Sequence, residues 1–156
     1  MAATANNTGT GRRGMTWPQT LAMVFGAVYL VIGIIGYFIT GFGDFFGNDN
    51  TVPPTHMDTL LGFMINPMHN LVHIVIGLAG LALARTLAGA RTYGWLLTVG
   101  YGAAFVYGLF AVDKSWDFLN LNWADNILHL ATAVVGLVIA LGPVRTAVAS
   151  HAGRTA

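Results

Sequence analysis

Residues 66–84 read NPMHNLVHIVIGLAGLALA, and they lie without a gap over residues 122–140, NWADNILHLATAVVGLVIA. The shared positions are Asn66 with Asn122, Asn70 with Asn126, His73 with His129, Gly80 with Gly136, Leu81 with Leu137 and Ala84 with Ala140. Each copy starts with a polar head and continues as an apolar run with close-packing glycines, the pattern of a membrane helix that enters through a capped, polar first turn. Self-similarity on this scale marks an internal repeat. The preceding apolar runs match more weakly, as Phe25-Gly-Ala-Val-Tyr29 over Tyr101-Gly-Ala-Ala-Phe105. Helix, loop, helix recurs in the same order, so the sequence points to a tandem duplication of a two-helix hairpin, with a pseudo-twofold axis along the membrane normal.

Composition agrees with this. Of 156 residues, 55% are hydrophobic and 8% charged, against about 25% charged in soluble domains. Four apolar stretches, approximately 17–40, 67–87, 93–112 and 123–144, are each long enough for the roughly 20 residues that span a bilayer. The expected fold is therefore an all-α transmembrane four-helix bundle over 17–144. Around it lie a disordered N-terminus at 1–16, a loop at 41–66 and a tail at 145–156. Within that loop, 59–65 reads as a short interfacial helix. The first stretch is longer than a signal-peptide core and lacks a small-residue cleavage site, so it reads as a retained span, with Arg12-Arg13 as a topology signal.

Charge orients the molecule. All six arginines, Arg12, Arg13, Arg85, Arg91, Arg145 and Arg154, fall at the termini and in the turn between the second and third stretches. All six aspartates, with the single Lys114, fall in the other two loops. The positive-inside rule puts the basic end, and so both termini, in the cytoplasm of a cell whose inner membrane holds the protein. The partners expected are the lipid bilayer and a membrane-protein partner or second copy. Nucleic acid is not expected, because no basic run interleaved with aromatics exists. Without cysteine, thiolate-held metal sites and disulfides are excluded.

The polar heads carry the chemistry. Asn66 precedes Pro67 and Asn122 precedes Trp123-Ala124-Asp125, so both asparagines read as N-caps, with Asp125 at the third helical position. Asn70 and Asn126, then His73 and His129, fall deeper, the histidines about 10 Å below the cap. Polar side chains at that depth turn inward. They make a hydrogen-bonded seam, which Tyr29 and Tyr107 would join at similar depth. A second spacing allows a metal: His69 with His73 and Asp125 with His129 are i, i+4 pairs, so two facing helices could supply three imidazoles and a carboxylate to zinc, copper or iron. A third reading uses only His73 and His129 as axial ligands of a haem or other pigment. Nothing marks an enzyme: there is no nucleophile elbow, no phosphate loop and no pair of deep carboxylates. The reading that follows is a non-enzymatic structural, assembly or partner-binding subunit, with the metal site and then the haem or pigment site as alternatives.

The NxxHNxxH and NxxDNxxH heads, together with four spans, resemble a family of small bacterial integral membrane proteins catalogued only as a domain of unknown function. The resemblance covers approximately 17–144 and rests on Asn66, His69, Asn70, His73, Asn122, Asp125, Asn126 and His129. It implies the four-span fold and no activity. Similarity to the DoxX-type four-helix membrane proteins stops at span count.

Overall fold

The computed structural model describes residues 14–48 and 58–144. The expected disordered tail and residues 1–13 of the expected disordered N-terminus, together with Asp49, His56 and His151, lie outside the described residues, whereas 14–16 are described and lead into the first helix.

Four helices carry the fold: α1 (Trp17–Thr40), α2 (Pro67–Leu83), α3 (Leu87–Ala111) and α4 (Trp123–Leu141). Three of them, α1, α3 and α4, are long and apolar enough to cross a membrane by length and composition, while α2, at 17 residues, is a shorter apolar helix. Their flanks are apolar as well: Phe38, Val99 and Ile127 are 87%, 67% and 66% exposed. A water-facing flank would be polar, so this suggests contact with a lipid bilayer.

Local chemistry sets the helix ends. Thr16 precedes α1, and its backbone N–H donates to the Gln19 side chain at 3.1 Å, with Pro18 in the first turn, where a missing N–H costs nothing. Gly41 closes α1 with φ +65°, a conformation that excludes most side chains. α2 stops at Leu83, and α3 opens at Leu87 rather than near Tyr93, because the Thr86 hydroxyl caps it by accepting from Gly89 N at 3.0 Å. The connection between these two helices is therefore a three-residue turn containing Arg85.

α1 packs chiefly on α2 and α3 chiefly on α4. Glycines let the backbones touch within each pair. A Cβ on Gly26 would stand 2.7 Å from Leu81 N, and one on Gly94 would stand 2.6 Å from Ala140 N. The small-residue stripe at Gly100, Ala104 and Gly108 does not act as one seam. Gly100 has open space beside it, whereas Gly108 meets the Asn126 side chain. At the basic end the core is closed by Ala22, Ala84, Ala90 and Ala140, none more than 4% exposed. Cross-links there run from Trp17 Nε1 to Pro143 O at 3.0 Å and from Gln19 Nε2 to Ala84 O at 3.1 Å.

One departure from an all-helical chain lies at 59–64, where the sequence suggested a short helix. The strands β1 (Thr59–Leu60) and β2 (Phe63–Met64) pair antiparallel, with Leu60 opposite Phe63. Leu61 and Gly62 turn the chain with φ +56° and +88°, the left-handed pair that a tight hairpin needs. This ribbon touches α1 and α4 and lies over the acidic end of the bundle.

Candidate functional site

The acidic end is assembled by asparagine amides working at both ends. Asn66 Oδ1 accepts from His69 N at 2.8 Å, capping α2, while its Nδ2 donates to Gly47 O at 3.0 Å and to Phe118 O at 2.9 Å. Asn122 Oδ1 accepts from Asp125 N at 2.9 Å, capping α4, while its Nδ2 donates to Gly62 O at 2.9 Å. Asn48 donates to Lys114 O and Asp117 O at 2.9 and 2.8 Å, and Asn120 donates to Ile65 O at 3.4 Å. Each hairpin thus supplies amides to the other's loop carbonyls, forming a reciprocal clasp. Buried carbonyls outside regular structure need such donors.

Two aspartates complete the clasp. Asp125 Oδ2 accepts from Asn122 N at 3.2 Å and from Met64 N at 3.1 Å, so it closes the capping box and pins the ribbon. Asp117 is fully buried in the loop between α3 and α4. It accepts from Leu121 N at 2.6 Å and Leu119 N at 3.1 Å, and it meets the Tyr107 hydroxyl at 3.1 Å. Burial pushes its carboxyl above the usual range, against the pull of those N–H donors. Tyr107 therefore belongs to this loop and not to the Asn/His level, since its hydroxyl also accepts from Phe118 N at 3.0 Å.

Tyr101 holds the deeper place instead. Tyr29 stacks on His73 with ring centroids 5.2 Å apart, and Tyr101 packs on His129 at 5.3 Å. The two tyrosines stack on each other at 5.3 Å. Tyr29 shares a 2.8 Å hydrogen bond with Thr132. The sequence match of 25–29 over 101–105 pairs Tyr29 with Phe105, one helical turn away from this arrangement. Contacts pair Tyr29 with Tyr101 and Gly36 with Gly108, each glycine lying under an asparagine, Asn70 and Asn126 respectively. The signal that could have found Tyr101 is the common Tyr-to-Gly spacing of 29 to 36 and 101 to 108.

His69, His73 and His129 are 3%, 9% and 4% exposed. His69 lies 4.6 Å from His73 and 6.1 Å from His129, centroid to centroid. Together with Tyr29, Tyr101 and Asp125 they line one cavity of about 60 Å³, roofed by Leu60, Leu61, Phe63 and Ile65 of the ribbon and its flank. The structure thus brings His69, His73, Asp125 and His129 to one place. Nδ1 of each histidine is buried without a hydrogen-bond partner, as are the Tyr101 hydroxyl, Asn70 Oδ1 and both amide atoms of Asn126. Asn70 does donate, to the Thr40 hydroxyl at 2.9 Å.

Two chemical conclusions follow. A porphyrin does not fit between His73 and His129, because each ring already faces a tyrosine and the cavity is several-fold below the few hundred Å³ of drug-sized sites. As the side chains stand, no three His or Asp groups among the described residues are arranged to hold a metal ion. What the site offers is three buried, unshared imidazole nitrogens beside a space of a few water volumes.

No curated protein and no solved structure matches the chain. A family model does match, over residues 19–142, and the chain therefore belongs to the family described as Domain of unknown function (DUF4383).

Proposed function

We propose that the protein is an integral membrane protein of two duplicated hairpins, basic end in the cytoplasm, whose histidine well at the outer end binds a ligand of a few atoms. One observation carries this reading: three buried imidazoles that line a single cavity each leave Nδ1 without a partner. A buried polar atom left unpaired costs about 1–3 kcal/mol. Three around one cavity are a destabilising cluster unless something else pairs with them, and such groups ask for a functional explanation.

The competing reading is the structural or partner-binding subunit, with the histidines as a hydrogen-bonded seam. A seam needs bonds between the helices at that level. Among the described residues the interhelical bonds there are Asn70 to Thr40, Tyr29 to Thr132 and Thr98 to Ala133 O, and none uses a histidine. Holding the hairpins together is the work of the asparagine clasp.

Stability separates the two. Exchanging a buried, unsatisfied polar group for an apolar one of similar shape is neutral or stabilising. His129→Leu and His73→Leu should therefore leave the thermal midpoint in detergent unchanged or raise it. Loss of several degrees in both variants would overturn the ligand reading in favour of the seam.

A further inference from the structure

We infer that the β1–β2 ribbon is a lid on the histidine cavity, fastened so that it lifts while the helices stay together. What passes beneath it rests on the small-ligand reading above, whereas the lid itself rests on how the ribbon is placed and held.

Its place comes first. Side chains of all four helices line the cavity, and the rest of the lining is Leu60, Leu61, Phe63 and Ile65 of the ribbon and its flank. Of the helices the ribbon touches α1 and α4, which pack little on each other. Lifting it therefore leaves the two main helix pairs, α1 with α2 and α3 with α4, as they are.

The fastening is polar and slight. No residue from Thr59 to Met64 is buried, and Leu61 is 84% exposed, so little of the apolar burial that fixes a core element acts here. What ties the ribbon down is hydrogen bonding, from Met64 N to Asp125 Oδ2 at 3.1 Å and from Asn122 Nδ2 to Gly62 O at 2.9 Å. The His69 ring, on the cavity wall, adds a bond to the Met64 backbone. At an exposed edge such bonds are exchanged for bonds to water when the segment lifts, so their net hold is modest. The loop of the second hairpin is the contrast. It buries Asp117, Asn120 and Leu121 to 1% exposure or less, and it is built into the bundle where the ribbon is laid upon it.

The turn offers a way to loosen the ribbon alone. Gly62 has φ +88° with open space where a Cβ would stand, so a side chain there strains the turn and touches nothing in the bundle.

The test uses the full chain in detergent. It has no cysteine, so one placed in the well reports how often the well opens. His129→Cys should react slowly with methyl methanethiosulfonate, and His73→Cys reports the same well from α2. Adding Gly62→Val should speed both reactions about tenfold, while Gly100→Ala, on α3 in open space, should leave them unchanged. Amide hydrogen exchange on the unsubstituted chain needs no variant to fold: the Met64 amide should exchange faster than those of α4 beside the cavity. Equal thiol reaction rates with and without Gly62→Val in folded protein, or a Met64 amide as protected as those of α4, overturn the lid. Destabilised His73→Leu and His129→Leu beside a Gly62→Val chain that reacts faster overturn the small-ligand reading and support the lid.

Discussion

The heads of α2 and α4 share an asparagine cap, a second asparagine and a deep histidine at the same spacing, yet they are not equally satisfied. Asn70 lies over Gly36 and donates to the Thr40 hydroxyl. Asn126 lies over Gly108 with no bond from either amide atom. The cause is one residue. Thr40 stands four positions after Gly36, and the position four after Gly108 is Val112, buried and without a hydroxyl. The heads also differ one turn above the deep histidines, where α2 carries His69 and α4 carries Asp125. One head presents an additional imidazole to the cavity, and the other presents a carboxylate already tied to the ribbon. Similar helix heads can thus hold different states of satisfaction, and the unpaired amide of Asn126 lies over Gly108 rather than on the cavity wall.

The largest expected effect probes the glycines. A Cβ at Gly36 or Gly108 would drive into the asparagine above it, and overpacking of this kind costs about 1–3 kcal/mol. Gly36→Ala should cost more than Gly108→Ala, because Asn70 must break its bond to Thr40 to move aside while Asn126 has none to lose. Denaturation of the two variants in the same detergent checks this, and the reverse order would break the comparison. A smaller effect tests the missing hydroxyl. Val112→Thr should give Asn126 a partner and raise stability by about 1 kcal/mol, and Thr40→Val should lower it by a similar amount. If Val112→Thr is itself destabilising, the two positions are not equivalent.

The smallest effect concerns the loop of the second hairpin. Burial raises the Asp117 carboxyl, so the folded state holds that proton to a higher pH than the unfolded chain does. The stability this provides is fully present below the unfolded value, about 3.9, and is lost as pH rises through the raised folded value. Melting midpoints should fall over that window, and Asp117→Asn should flatten the slope. An unchanged slope would assign it elsewhere.

How much of this could be read from sequence depends on the range of the interaction. A helix start is local: Asn-Pro at 66–67 and the Asn122/Asp125 spacing announce caps because the bonding groups are three residues apart. Glycines at 26, 80 and 136 announce close packing, though sequence could not tell them from Gly100, which meets nothing. The ribbon was illegible because its turn is Leu61-Gly62 rather than Asn-Gly, and a leucine at positive φ is no turn signal. Tyr107 was placed at the histidine level by depth along a helix, but depth does not fix direction. Tyr107 lies six residues from Tyr101, on another face and nearly two turns nearer the loop, where Asp117 claims its hydroxyl. The bonds from Asn66 to Phe118 and from Asn122 to Gly62, like the roles of Asn48 and Asn120, are contacts across more than 50 residues of chain, and no local pattern encodes them.

The reciprocal clasp bears on the duplication proposed above. When each half lends amides to the loops of the other, the arrangement is the one that two identical chains make across a twofold axis, where every contact occurs twice. Two separate copies would be bound to that equality, so a residue changed in one would change in both. A single chain carrying both halves is free of it. Thr40 can face Val112 as counterpart, and His69 can face Asp125, so a site that strict symmetry would force into matched pairs can hold an odd number of imidazoles.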